Sequence, residues 1–487
     1  MKKNVLALSI AAMIGGLGFA GAASAQTVDT LTVNESGLGH MLLVPYYTAQ
    51  NNNMTVFHMV NTDSVNGKAM KVRFRGAANS DDVLDFQVFL SPGDVWTGAV
   101  VKGGDADGRA QLVTADGSCT LPAIAKNEPV NFIYDRLPSW MDGVAKANST
   151  REGYIEIFNM ADVKSGSDLF KATKHVNGVA PCTDAALSAT LMMEEATPGL
   201  AAPTGGLMGS WYIINVPSTL TFGGSTTNVL ATGATRNVFS AQANGAPRSG
   251  LFSADPLFKN GLLETQKFDM PDFSTPFLGV TPTTQAGADT QANALTQLLA
   301  RTAVMNQYAQ DSNISAKTDW VFSMPTRRYN VAANYNVTPG NAGYRVYNSA
   351  VGSFFTAGNT SVNATAGDAN YGQICLSSTT QIFLDREETA KTTGAVFSPG
   401  NVTKLPLCGE VSVMSFASGS VLGAAVAKTA ASGTYTNGWG RINFAEPGIP
   451  VLGGAYISLR NPSASAGVSG NYGLLWPHSY ISALPPK

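Results

Sequence analysis

The chain has 487 residues and a formal net charge of −2, and charged side chains make up 13% of it, against about 25% in an ordinary soluble domain. That balance leaves no basic excess with which to bind nucleic acid or an anionic membrane, and neither is expected as a partner. None of the four cysteines lies in a C-x-x-C arrangement and none of the four histidines lies at metal-ligand spacing from another, so zinc and dithiol redox chemistry have no signature here.

In chain order, Lys2 and Lys3 precede a short apolar segment that ends in Ala23-Ser24-Ala25, the small-x-small pattern of a cleavage site. Residues 1–25 are therefore expected to be a secretory signal peptide, cut before Gln26 and excluded from the fold. Export implies an oxidising compartment, where an even number of cysteines reads as disulfides. Sequence order groups them as Cys119–Cys182 and Cys375–Cys408, with two other connectivities formally open.

Short strands are predicted at Met41 to Tyr47, Met54 to Val60, Met70 to Arg75, Val83 to Leu90 and Val95 to Val101, at the spacing of an all-β sandwich. The clearest is the third: Met70, Val72 and Phe74 alternate with Lys71, Arg73 and Arg75, the pattern of a strand with one packed face and one wet face. Gly153 to Met160 and Trp211 to Val216 supply further strands, and Ala185 to Glu195 a short helix. Between Ala288 and Tyr308, Ala292, Leu295, Leu298, Leu299 and Met305 recur at helical spacing, which predicts one amphipathic helix packed on a sheet. Beyond Thr318, strands are expected at Asp319 to Ser323, Gln381 to Leu384, Glu410 to Phe416, Arg441 to Phe444, Ala455 to Leu459 and Tyr472 to Trp476.

These elements make the fold class mainly β, with an immunoglobulin-like β-sandwich architecture in two β regions and a helix near 288–308. The expected organisation is an N-terminal β-sandwich region at 26–160, a loop-rich insertion carrying the helix at 161–316, and a C-terminal β region at 317–487. A transmembrane β-barrel is disfavoured, because the strands are shorter than the ten or so residues such barrels use and the terminal Leu484-Pro485-Pro486-Lys487 lacks a closing aromatic.

Several phrases carry a resemblance that runs the length of the mature chain: LVPYYTAQNNNMTVFHMVNT from Leu43, REGYIEIFNM from Arg151, GGLMGSWYIINV from Gly205, AKTDWVFSMPTRR from Ala316, GEVSVMSF from Gly409 and NYGLLWPHSY from Asn471. In these the chain resembles a family of secreted proteins of Gram-negative bacteria described as cell-surface proteins. The resemblance implies a surface location and no reaction, since the family carries no established catalytic residues.

The residues themselves agree on the absence of a recognisable catalytic motif. There is no G-x-S-x-G, H-E-x-x-H, P-loop or EF-hand loop, so no catalytic, cofactor-binding or metal-binding residue is assigned. Asp385-Arg386-Glu387-Glu388 reads as a solvated strand end, and Asp105, Asp107 and Asp116 as turn residues, with weak calcium binding the minority reading. A dispersed triad assembled by folding stays open.

The leading expectation is a secreted, non-enzymatic cell-surface protein that self-associates into a layer or fibre, because a surface of hydroxyls and amides repels its own copies weakly. The alternatives are an extracellular ligand- or carbohydrate-binding module and a secreted enzyme of unknown class. In the binding reading, exposed tryptophans and the stretch from Tyr329 to Gly372, with Tyr335, Tyr344, Tyr347 and Tyr371, serve as platforms.

Overall fold

Alternating apolar residues build the strand Gly67–Gly76 at the heart of the first of two stacked sheets. The computed structural model describes residues 30–189, 198–232, 285–388, 405–416, 419–430, 436–465 and 468–483; the expected signal peptide lies outside them. The protein is mostly β, of a β-sandwich type without a barrel. One eight-stranded sheet runs in spatial order through Thr30–Val33, Thr227–Thr232, Met41–Thr48, Glu152–Val163, Gly67–Gly76, Asp82–Leu90 and Cys119–Leu121, with Leu200–Ala201 paired off that path. The six-stranded sheet against it has Asn53–Asn61 between Leu207–Asn215 and Val95–Lys102. Met70, Val72, Phe74 and Phe86 from the first meet Phe57 and Trp96 from the second in an aromatic core. Such pairs stabilise beyond the area they bury.

A second pair of sheets, five strands each, follows. One is centred on Ala300–Ala309 and Asn437–Asn443, the other on Lys317–Ser323 flanked by Val411–Ser415 and Leu452–Ser465. Trp320, Phe322, Tyr308, Phe383 and Phe416 fill the space between them. Val321, Val411, Val413 and Tyr456, on the other side of the Lys317–Ser323 sheet, join the core of the first sandwich. The strands Leu207–Asn215 and Leu220–Ser225 likewise complete a sheet begun before residue 160.

Both disulfides pair neighbours in this framework. Cys119–Cys182 ties the edge of the first sheet to the loop after the helix Asp168–Thr173, and Cys375–Cys408 links register partners on adjacent strands. Their presence is compatible with an oxidising compartment.

Two expectations are corrected. The helix spans Gln285–Leu299 and then gives way directly to the strand Ala300–Ala309. The apolar positions Ala300, Ala303 and Val304 satisfy helical spacing as well as a strand, and ladder bonds to Asn437–Asn443 and Ser479–Ser482 decide for the strand. Ala292, Leu295 and Leu299 pack on Met41, Leu43 and Phe158, so the helix does cover a sheet. Of the short helix expected at 185–195, Ala185–Ala189 is helical and the remainder lies outside the described residues.

The second correction concerns the wet face. Every residue of Gly67–Gly76 and of Glu152–Val163 is buried, including Lys71, Arg73 and Arg75. The outer face of the first sheet lies beneath the helix Gln285–Leu299, the Arg327–Asn330 turn and the Leu169–Phe170 segment, so its charges meet partners instead of water. Arg75 Nε donates to Glu156 Oε2 at 3.1 Å, Arg328 donates to Glu156 Oε1 at 2.8 Å, and Arg327 Nε donates to Glu410 Oε2 at 2.7 Å. Lys68 pairs with Asp162 at 2.9 Å. Burial pushes the Glu156 carboxyl up, and the Arg328 and Arg75 guanidiniums pull it further down, leaving it below its ordinary value. Among the described residues fifteen charged side chains are buried, so the surface is more neutral than the composition alone implies.

Candidate functional site

Four strands converge at the outer end of the second sandwich. Asn437–Asn443 runs beside Ala300–Ala309 with Trp439 opposite Gln307, and Ser479–Ser482 runs along the other edge with Ser479 opposite Met305. The strand Val468–Pro477 ends beside them, its Trp476 carbonyl accepting from Asn306 Nδ2 at 2.8 Å. The result is an open cleft of about 350 Å³ lined by Met305, Asn306, Gln307, Trp439, Trp476 and Ser479. Trp439 is 39% exposed and Trp476 52%, whereas Trp96, Trp211 and Trp320 are buried.

The frame beneath the indoles is fixed. His478 is buried, its Nε2 donating to the Val321 carbonyl at 2.9 Å and its Nδ1 accepting from Asn306 Nδ2 at 3.0 Å. Burial lowers its pKa to about 4, the bond to Val321 opposing only in part, so the ring is a neutral strut. Asn306 Oδ1 in turn accepts from the Gln307 backbone N–H at 2.9 Å, which commits every polar atom of that amide. Gln307, which is exposed, and Ser479 are left to face a ligand.

The apolar character continues along the strand. Tyr472, Leu474 and Trp476 project outward at alternate positions and are exposed, while Asn471, Gly473 and Leu475 turn the other way, toward Leu220–Ser225 of the first sandwich. A Cβ on Gly473 would stand 2.1 Å from the Thr221 carbonyl oxygen, so only glycine permits this approach. The two strand edges thereby cover one another. Tyr480, also exposed, lies under Arg301, whose guanidinium carbon is 3.9 Å from the ring centroid.

No protein-family model, no curated protein and no solved structure matches this chain. What the cleft can do rests on its chemistry alone.

The tyrosines of the Tyr329–Gly372 stretch make internal contacts. Tyr329 and Tyr344 are core residues, Tyr335 donates to Asp81 Oδ2 at 2.7 Å, Tyr347 shares a 2.7 Å hydrogen bond with Thr360, and Tyr371 packs edge-on against Trp140. These rings hold loops together, with Tyr329 and Tyr344 buried and Tyr335, Tyr347 and Tyr371 half-buried. Trp439 carries a usable sequence signal in its setting between Gly438 and Gly440, since flanking residues without side chains leave an indole uncovered.

Folding does bring together a serine, a histidine and an aspartate. Ser91 Oγ lies 3.1 Å from His175 Nδ1, and Asp94 Oδ2 lies 3.2 Å from the same nitrogen. A triad needs the acid on one ring nitrogen and the nucleophile on the other, so that the base can take the hydroxyl proton. With both on Nδ1, and with Ser91 also donating to Asp94 at 3.2 Å, the group is a turn clamp. The other histidines are engaged in the frame: His40 lies between the Pro203 carbonyl and the Ala231 N–H, and His58 Nδ1 bonds Thr97 Oγ1 at 2.8 Å.

Asp105 and Asp107 both pair with Arg109, and Asp116 accepts from the Ser118 backbone and hydroxyl. At the charged strand end, Asp385 accepts from the Glu387 N–H, and Glu387 and Glu388 are exposed. Among the described residues no cluster of metal-ligating side chains forms, and no helix is long and apolar enough to cross a membrane.

Proposed function

We propose that the chain is an exported, non-enzymatic cell-surface binding protein whose ligand is a neutral saccharide held on the Trp439–Trp476 cleft. The observation that carries this reading is the exposure of two indoles around one cleft, above a frame whose polar groups are already satisfied. A sugar ring offers an apolar C–H face to an indole and hydroxyls to neighbouring amide and hydroxyl groups, the roles open to Gln307 and Ser479. Export draws support from the signal-peptide pattern and from the disulfides. The resemblance to Gram-negative surface proteins agrees with it.

A glycan array probed with the purified chain tests the proposal. Binding to neutral glycans is expected, with Trp439→Ala and Trp476→Ala each weakening it by roughly 1.5–3 kcal/mol, about ten- to 150-fold. A blank array, or binding unchanged by both substitutions, would sink it.

One observation favours a second reading, self-association into a layer or fibre. Fifteen charged side chains are buried among the described residues, and the exterior bears the apolar row Tyr472, Leu474 and Trp476. Under this reading the protein sediments as large assemblies that are visible in negative stain, and a Tyr472→Ser/Leu474→Ser variant disperses to monomers. A wild-type protein that stays monomeric at high concentration removes it.

A further inference from the structure

A second depression, with no residue in common with the aromatic cleft, lies in the seam between the two sandwiches. Its volume is about 640 Å³, within the roughly 300–1,000 Å³ typical of small-ligand sites. The first sandwich contributes Ser218 and Thr219, and the second contributes Lys317, Ser420, Arg460 and Asn471. Cross-seam bonds hold the two walls: Asn53 Nδ2 donates to the Leu422 carbonyl at 2.8 Å, and Asn471 Nδ2 donates to the Ser218 carbonyl at 2.5 Å and to Thr219 Oγ1 at 3.0 Å. The groove is thus shaped before any ligand arrives, which limits the ordering cost of binding.

Two features set its chemistry. Among the described residues the only charged ones lining it are Lys317 and Arg460, both exposed, and no carboxylate shares the lining with them. Everything else polar is a hydroxyl, an amide or main chain. The Oδ1 of Asn471 is buried and has no hydrogen-bond partner among the described residues. Backbone strain is also concentrated here: three non-glycine lining residues, Asn51 (φ 51°), Thr219 (φ 49°) and Ser315 (φ 43°), hold left-handed conformations. For a β-branched threonine that conformation is unfavourable, and such residues gather where a fold maintains a site.

We propose that this seam groove binds an anionic sugar, its carboxylate or phosphate held by Lys317 and Arg460 and its hydroxyls by the Ser218–Thr219 and Asn471 walls. Two cations without a paired acid in the lining complement one anionic group, and guanidinium suits carboxylate and phosphate alike. The inference stands independently of the cleft, which lacks a cation in its lining.

Titration calorimetry on the full chain tests it, with trigalacturonate and glucose 6-phosphate as probes and maltotriose as the neutral control. The expected result is binding of at least one anionic probe, about tenfold or more tighter than maltotriose at this groove and weakened by added salt. Lys317→Gln/Arg460→Gln should lose about tenfold or more, and because both side chains are exposed the variant should keep the wild-type thermal midpoint. The Trp439→Ala/Trp476→Ala variant should bind the anionic probe as wild type does. The tighter of the two anionic probes tells carboxylate from phosphate. The proposal is overturned if neither binds at millimolar concentration, if the Lys317/Arg460 variant retains full affinity, or if only the tryptophan variant loses it.

Discussion

Replacing Glu156 with alanine should destabilise the protein by about 3–5 kcal/mol, the cost of leaving a buried ion pair half made. Glu156 receives Arg75 on one oxygen and Arg328 on the other, and all three side chains are buried. With the carboxylate gone, two guanidiniums would face each other in a space closed to water, and the Arg75–Ser80 and Arg328–Pro325 carbonyl bonds cannot neutralise them. Because Arg75 lies in the first sandwich and Arg328 in the turn packed over it, the loss should loosen the joint between the two halves. Glu156→Gln keeps the shape and an acceptor while removing the charge, and an intermediate loss is expected. Urea unfolding at pH 7 reads all of this. A change below about 1 kcal/mol for the alanine variant would show that water reaches the cluster.

The second large effect is acid sensitivity traced to one histidine. A histidine in the unfolded chain takes up its proton near pH 6.5, whereas His478 in the fold resists until about pH 4. Between those values the unfolded state binds more protons. The contribution is therefore intact above pH 6.5 and lost on acidification, by up to about 1.4 kcal/mol per pH unit and roughly 3 kcal/mol by pH 4. His40, whose pKa burial also lowers to about 4, acts in the same direction. Burial raises the Glu152 and Asp319 carboxyls, and these act oppositely, since the folded state protonates first. The clean measurement is accordingly a difference. His478→Gln retains an acceptor for Asn306 and a donor for the Val321 carbonyl but does not titrate. Its stability, followed by urea unfolding from pH 7 to pH 4, should gain roughly 3 kcal/mol on the wild type across that span. Parallel profiles would mean that His478 takes up its proton at the same pH in the fold as in the unfolded chain.

The aromatic cleft was only partly legible. Trp476 stood in a predicted strand, but a strand's alternation does not say whether an indole faces core or solvent. Trp320 occupies an equally regular strand and is fully buried. Gln307 and Ser479 become neighbours of Trp439 and Trp476 only through pairing across more than a hundred residues of chain. The Tyr329–Gly372 stretch misled for the converse reason. Its neutral composition looks like surface, yet its hydroxyls find internal acceptors and its rings fill gaps between loops.

By itself the sequence determined strands such as Met41–Thr48, Gly67–Gly76 and Asp82–Leu90, since period-two alternation is a local property of ten or fewer residues, and it ordered the cysteines into the pairs the fold contains. Tertiary structure alone decided which medium each strand face meets. Lys71, Arg73 and Arg75 advertise a face different from that of Met70, Val72 and Phe74, but Glu156 lies 81 residues from Arg75 and 172 from Arg328. A charged face is wet unless distant carboxylates and a covering helix arrive together, and no local pattern reports that meeting. The same holds at Leu299, where helix becomes strand: local spacing allowed both states, and hydrogen bonds to the distant strands Asn437–Asn443 and Ser479–Ser482 chose between them.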